Sequence, residues 1–383
     1  MLYGLAKRVD SPTTRIGGEL GRWDQREQHH SRAATGELGE RVKERWTSES
    51  VDPFRRIFFP ETRPMNVPMR SWLPIADGPV NPEAIEVRSP EKMSEVIKGA
   101  ARFFGAELVG VCELEPALIY THRGLRIDYA KGRAGEPIAL THKYAVSLGI
   151  PMDFDRLHTS PSFIDGAEVG RLYLETAKVA VCLACYIREL GYPAKAHFHM
   201  SEEVLHIPIA VKAGLGELAR NNSLITQKFG PRLRLSTVTT DLPLAADRPV
   251  SIGVQEYCRI CDKCAANCPA QCIPYGEKTV FRGVERWVID NDKCMTYWTA
   301  NRQKWNDCAR CISVCPWNMR SGWYHEITLR MATLGDWARR LLLWVDDRLY
   351  GKKPKPKVEW LYYSTKSRAD RLKVVDKDLT LVE

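Results

Sequence analysis

Four cysteines crowd into one short run, CRICDKCAANCP (258–269). A second run, CARCISVCP (308–316), supplies three more and again places a proline after the last. The spacings are Cys258-x2-Cys261-x2-Cys264-x3-Cys268-Pro269 and Cys308-x2-Cys311-x3-Cys315-Pro316. In the bacterial two-cluster pattern, the first three thiolates of such a run hold one 4Fe-4S cubane and the fourth ligates the other. Crossed ligation therefore predicts one cluster on Cys258, Cys261, Cys264 and Cys315. It predicts a second on Cys268, Cys308, Cys311 and one further cysteine. Cys294, in DNDKCMTYW between the runs, is the leading candidate, and Cys272, four residues after Cys268, is its rival. Zinc takes four ligands, usually as two separated pairs, which crossed triplets do not resemble. Nine of the twelve cysteines fall between 258 and 315, whereas a disulfide scaffold spreads them through a small secreted chain.

Two cubanes side by side make a wire, and a wire has to end at something. With 383 residues there is room for two or three domains, at about 100–200 residues each. The net charge of +9, from 56 basic and 47 acidic residues, allows tRNA or an acidic partner without demanding either. The one concentrated basic stretch, KKPKPK (352–357), reads as a solvated Pro-Lys segment. No apolar run approaches the ~18 residues of a membrane span. MLYGLAKRVDSPTTR has no apolar stretch of the signal-peptide kind, and the twin-arginine lookalike FRRIFF (54–59) is followed by PETRPMNVP rather than one. The expectation is a cytoplasmic protein, the alternative an exported, membrane-associated one whose leader was removed.

The chain divides on sequence into four stretches. Residues 1–90 carry a helical patch at 36–46 and eight prolines from 53 to 90, and read as a segment that wraps over other structure. Residues 91–250 read as an α+β unit. Ser89 is placed to cap a helix that begins at Pro90. Strands are expected at 107–114, 143–152, 192–198, 204–211 and 233–244. A strong helix at 170–191 stops at Gly191 and Pro193, and 214–226 reads as a loop leading into a short helix. Residues 251–325 hold the cysteine unit, and 326–383 hold one amphipathic helix (337–351) and a polar tail.

Several features have a bland and a sharp reading. GLGELA (214–219) imitates a dinucleotide fingerprint, but lies too close to the cysteine unit for a full βαβ domain. Tyr173, Ala177, Ala180 and Ala184 share one helix face, suited to a flat cofactor or simply to tight packing. Cys182 with Cys185, and Cys112, read as apolar packing. His197, His199 and His206 lack the spacing of a metal site. Trp298, Tyr297 and the residues around Phe163 are pocket candidates by position only. The D-x-H-x-x-G motif that supplies a cobalt-binding histidine in some corrinoid proteins is absent from the sequence.

KYAVSLGIPMDFD (143–155), GRLYLETAKVAVCLACYIRELGYPA (170–194), GLGELARNNSLIT (214–226), FGPRLRLSTVTTDLPL (229–244), CMTYW (294–298) and both cysteine runs together resemble the catalytic subunits of reductive dehalogenases. That corrinoid and iron–sulfur family is related to epoxyqueuosine reductase. The resemblance implies an α+β, nitroreductase-like core holding a base-off corrinoid (cobalamin or a relative), followed by a ferredoxin-like module with two 4Fe-4S clusters. It implies that Cys294 completes cluster two, that Tyr173 is catalytic with Arg232 assisting, and that His199 lies in the substrate pocket. Arg234 is the runner-up to Arg232. Corrinoid contacts are expected at Gly216, Asn221 and Ser223. The implied activity replaces halide by hydrogen on an organohalide through a Co(I) corrinoid. The implied donor is a ferredoxin, a flavodoxin or a quinol-linked membrane partner, and nucleic acid is not expected as a partner. Epoxyqueuosine reductase relies on an acidic proton donor where this helix presents Tyr173, so action on tRNA is the alternative. A non-catalytic electron carrier is a second alternative.

Overall fold

A computed structural model describes residues 6–47, 62–125, 133–300, 308–320 and 322–356. Its centre is a four-stranded antiparallel sheet built from β2 (Leu108–Glu113), β3 (Tyr144–Pro151), β4 (Ala194–His197) and β7 (Leu233–Thr240), in the order β2-β3-β7-β4. Val111 pairs with Val146, Val146 with Val238, and Val238 with Ala196. This row of three valines and an alanine runs across all four strands, and period-two alternation turns it to one face.

Three helices from the N-terminal half cover that face: α3 (Thr62–Ser71), α4 (Pro90–Phe104) and α6 (Phe163–Glu189). They follow α1 (His29–Thr35) and α2 (Glu40–Thr47), and α5 (Phe154–Leu157) precedes α6. Ser89 caps α4, accepting from Lys92 N–H, with Pro90 as the first helical residue. α6 starts seven residues before the sequence expectation of 170. A capping box sets the start: Ser162 accepts from the backbone N–H groups of Ile164 and Asp165, and the Asp165 carboxylate accepts from Ser162 N–H. An aspartate in place of the usual Glu or Gln hid this signal. α6 buries Val179, Leu183 and Ile187 in the main core, worth roughly 1.5–3 kcal/mol each.

Two local expectations are corrected. Residues 204–211 form helix α7 (His206–Lys212), not a strand. A short apolar run does not reveal its period, and Pro208 falls in a first turn, where its missing N–H costs nothing. Residues 214–226 form a hairpin of β5 (Glu217–Leu218) and β6 (Leu224–Ile225), not a helix. Asn222, in the connecting turn, adopts φ 54°.

The cysteine unit follows as α8 (Val254–Ile260), α9 (Lys263–Ala266), a hairpin of β9 (Thr279–Phe281) and β10 (Val284–Arg286), α10 (Asn291–Ala300) and α11 (Arg310–Ser313). Two helices come after it where one was expected, α12 (Trp323–Thr333) and α13 (Asp336–Tyr350). The N-terminal segment does wrap. Its β1 (Lys7–Arg8) pairs with β8 (Val250–Ser251), Ile16 bridges to Val284, and Met69 of α3 is fully buried in the main core. The FRRIFF stretch lies outside the described residues.

Candidate functional site

Cys258, Cys261, Cys264 and Cys315 stand around one small cavity of about 10 Å³. α8 carries Cys258, Cys261 is its C-cap, α9 carries Cys264, and Cys315 follows α11. Ala219, Arg220 and Asn221 of the β5–β6 turn close the cavity, with Tyr257, Pro316 and Trp317. Burial pushes the Cys258 thiol up to about 11 and Cys264 up to about 12, and raises Cys261 and Cys315 as well. Four buried thiols resist ionising alone, and a cationic iron core would displace their protons. This cysteine set fits a cubane.

Beneath the cavity lies Arg220, only 2% exposed. Its Nε donates to the carbonyls of Cys258 and Cys261, each at 3.2 Å. Nη2 donates to Cys258 O at 2.8 Å, and Nη1 to Pro274 O and Gly276 O at 2.9 and 3.1 Å. The guanidinium also lies 4.5 Å above the Trp287 ring. No sequence pattern points to this residue, although it sits inside the quoted GLGELARNNSLIT stretch.

The second group of sulfurs contains both rivals. Cys268 and Cys272 lie 3.4 Å apart, sharing a hydrogen bond that lowers Cys268 to about 5 and raises Cys272. Cys294 hydrogen-bonds Cys272, and the charges of Cys264, Cys294, Cys308 and Cys268 act on the buried Cys311. Cys272 is buried and Cys294 is exposed on α10. Five sulfurs thus gather where four are needed.

α6 joins the cysteine unit to the core. The Asp165 carboxylate in its first turn accepts from Ala309 N–H at 3.2 Å, and Ile312 packs in the same cluster as Leu172 and Tyr173. The Tyr173 ring stacks on His199, centroids 3.9 Å apart and planes 11° apart. The guanidinium over the opposite part of this arrangement is Arg234, 5.5 Å from the Tyr173 ring centre. Ser236, two residues along β7, donates to Thr176 O of α6, so Arg234 shares the face that looks at α6. Arg232 lies just outside the strand. It donates to Met152 O at 3.1 Å and faces the rings of Phe154 and Phe229. There it lines an open cavity of about 510 Å³ with Arg171, Arg320 and Asp153. Burial lowers its pKa. Of the two arginines considered, the runner-up Arg234 is the one that stands over the Tyr173 ring.

Other expected residues take structural positions. Trp298 packs at 5.5 Å from Trp46 and 6.0 Å from His30, between α1, α2 and α10, and not beside Tyr173. Gly216 admits no side chain because a Cβ would meet Ile225 O at 2.1 Å. Asn221 donates to Cys311 O at 3.2 Å and accepts from the Ser223 hydroxyl at 2.6 Å. Asn221 thus ties the hairpin to the cysteine unit, while Gly216 and Ser223 make their contacts within the hairpin. Ala177, Ala180 and Ala184 are fully buried against the sheet, so the alanine face is tight helix packing. His197 shares a hydrogen bond with Thr239 and His206 with Thr237.

A large amide-fringed cofactor needs polar partners. Three buried atoms near the seam between Phe229–Arg232 and Trp317–Asn318 have none: Arg232 Nε, Trp317 Nε1 and Asn318 Oδ1. The seam is close, because a Cβ on Gly230 would meet Trp317 O at 2.0 Å. Two donors and an acceptor left open suit the carboxamide fringe of a corrinoid.

Residues 257–319 match the family model of a 4Fe-4S dicluster domain. The tetrachloroethene reductive dehalogenase of Dehalobacter restrictus is 35% identical over 303 residues, covering 67% of this chain and 54% of that protein. That of Sulfurospirillum multivorans is 28% identical over 314 residues, covering 74% and 61%. Similarity to the epoxyqueuosine reductase of Synechocystis, 34% identical, is confined to 125 residues. Among solved structures, the catabolic reductive dehalogenase NpRdhA in complex with 3-bromo-4-hydroxybenzoic acid superposes with a TM-score of 0.81 at 29% identity, covering 91% of this chain and 49% of that one. The chain thus spans about half the length of these dehalogenases.

Proposed function

We propose that this chain, a homologue of the reductive dehalogenases across two thirds of its length, removes halide from an organohalide and puts hydrogen in its place. The overall change consumes two electrons and one proton: the carbon–halogen bond breaks, halide leaves, and a carbon–hydrogen bond forms. The observation that carries the reading is the position of Tyr173, stacked on His199 and facing Arg234, on a helix whose first turn is bonded to the second cysteine run.

A bound corrinoid would supply a reduced cobalt centre, and two bound clusters the path by which electrons reach it. The chain's own residues do the rest. Cys258, Cys261, Cys264 and Cys315 hold one cluster, and Cys268, Cys294, Cys308 and Cys311 the other, with Cys272 beside them. Arg232, Trp317 and Asn318 offer their open polar atoms to the corrinoid's amides. Tyr173 delivers the proton from its hydroxyl. A free phenol has a pKa near 10, and a neighbouring guanidinium, charged at every working pH, stabilises the phenolate and so strengthens the acid. His199 fixes the ring by stacking. Electrons come from a reduced carrier such as a ferredoxin or flavodoxin.

The test is halide release from a panel of chloroalkenes and halophenols, with reduced viologen as donor. Anaerobically prepared protein should contain one cobalt and roughly eight irons. Tyr173→Phe should keep this metal content and lose turnover. Full activity in that variant, or no halide from fully loaded protein with any substrate, overturns the proposal.

A further inference from the structure

The sulfur beyond the four that cluster two needs is that of Cys272. It is 5% exposed and packs with Ala265 and Ile273 in a small apolar cluster. Cys264 of the first ligand set borders that cluster, and so do Cys268 and Cys311 of the second. Cys272 therefore lies between the two sets.

Backbone contacts fix it there. Gln271 N–H donates to Cys268 O at 3.1 Å, closing a turn in which Gln271 adopts φ 48°. A glutamine rarely takes the left-handed conformation, and strain of this kind persists only where the surrounding structure enforces it. The turn brings the Cys272 sulfur to 3.4 Å from that of Cys268. Asp290 holds the other side. Its N–H donates to Cys272 O at 2.9 Å, and its carbonyl accepts from Cys294 N–H at 3.2 Å. The Cys294 sulfur in turn shares a hydrogen bond with that of Cys272.

Iron changes the roles in this trio. A metal-bound cysteine is a thiolate, so Cys268 and Cys294 give up their hydrogens on cluster binding and then only accept. Cys272 is the member left with an S–H. We propose that Cys272 is a positioning residue of cluster two, donating that hydrogen to the Cys268 thiolate and so raising the reduction potential of the cluster. Hydrogen bonds to ligand sulfurs set cluster potentials, because the donor stabilises the negative charge added on reduction. A thiol is a weak donor, but its acceptor here is charged and the site is dry, and both strengthen the bond. Cluster two then takes an electron from the carrier more readily. The cavity of the first set is lined by four cysteines and no fifth among the described residues, so the effect falls on cluster two. The inference rests on the cluster assignment given above and is independent of the substrate.

The test is an EPR-monitored redox titration of the anaerobic, cluster-loaded full chain without substrate. Cys272→Ala should keep roughly eight irons and make the midpoint of one cluster more negative, leaving the other in place. Cys272→Ser, whose hydroxyl also donates, should recover part of that shift. Exchange into D2O should move the iron–sulfur stretching bands of the wild type in resonance Raman more than those of Cys272→Ala. Full iron with an unmoved midpoint in Cys272→Ala overturns the inference. Equal shifts in the two variants, with no isotope difference from the wild type, indicate packing alone and also overturn it. Loss of about four irons in Cys272→Ala makes this residue a ligand, which overturns it as well. A wild-type chain with only about four irons overturns the two-cluster reading and this inference together, whereas absence of halide release from fully loaded protein overturns the assigned reaction alone.

Discussion

Arg220 is the residue whose loss should be felt most by the cluster unit. Replacing it with Met keeps much of the apolar volume and removes the guanidinium. The carbonyls of Cys258, Cys261 and Pro274 then lose their buried donor, while Gly276 O keeps the Trp287 indole N–H at 2.8 Å. A buried group left unsatisfied costs about 1–3 kcal/mol, so three such groups cost on the order of 5 kcal/mol. A desolvated cation over an aromatic ring adds about 2 kcal/mol. That sum rivals the ~5–15 kcal/mol that holds an ordinary domain together. Arg220→Lys keeps the charge but loses the planar fork, and should fall between. The assay is anaerobic urea unfolding followed by the sulfide-to-iron charge-transfer absorbance, with iron content measured at the start. Arg220→Met should bind about half the iron or release it at much lower urea. A variant with full iron and an unchanged midpoint would refute the assignment of Arg220 as the support of cluster one.

Four further outcomes are expected. Arg234→Gln should lower kcat about 10²-fold, in the range of an assisted proton transfer, and Arg232→Gln should lower it less; a larger loss at Arg232 restores the sequence expectation. Cys294→Ser should cost one cluster's signal in EPR and Cys272→Ser should not, and the reverse result makes Cys272 the ligand. Gly230→Ala should destabilise by more than about 1 kcal/mol in thermal unfolding, since φ is +57° and the new Cβ meets Trp317 O; an unchanged Tm contradicts the close seam. Burial holds the His197 pKa well below 6.5. The unfolded chain therefore binds this proton first as pH falls, and stability is full above about 6.5 and declines below it, by up to ~1.4 kcal/mol per pH unit. His197→Gln should flatten that slope between pH 6.5 and 5.5, and an unchanged slope assigns the acid sensitivity elsewhere.

The cysteine spacing was readable because cluster ligation is local in sequence for three sulfurs at a time. The sequence pattern also picked out the four that ring the first cavity, including the distant Cys315. The long helix and the strands at 108–113, 144–151 and 233–240 were legible because apolar period and capping residues are local properties. The helix at 206–212 was not, because a short, mostly apolar run carries no clear period. Neither was the hairpin at 217–225, whose turn depends on backbone angles rather than on composition.

At the reacting end, the sequence determined which residue types were available: Tyr173 on the helix, two arginines two positions apart, a histidine near the end of β4. Only the tertiary structure set the two arginines apart, because Arg234 is held on β7 over the Tyr173 ring while Arg232 lies beyond the strand's end and turns to Met152. It also sent Trp298 to a packing cluster and the alanines to the core. Arg220 needed three dimensions altogether. Its partners lie far away in sequence, and burial is a property of the assembled fold.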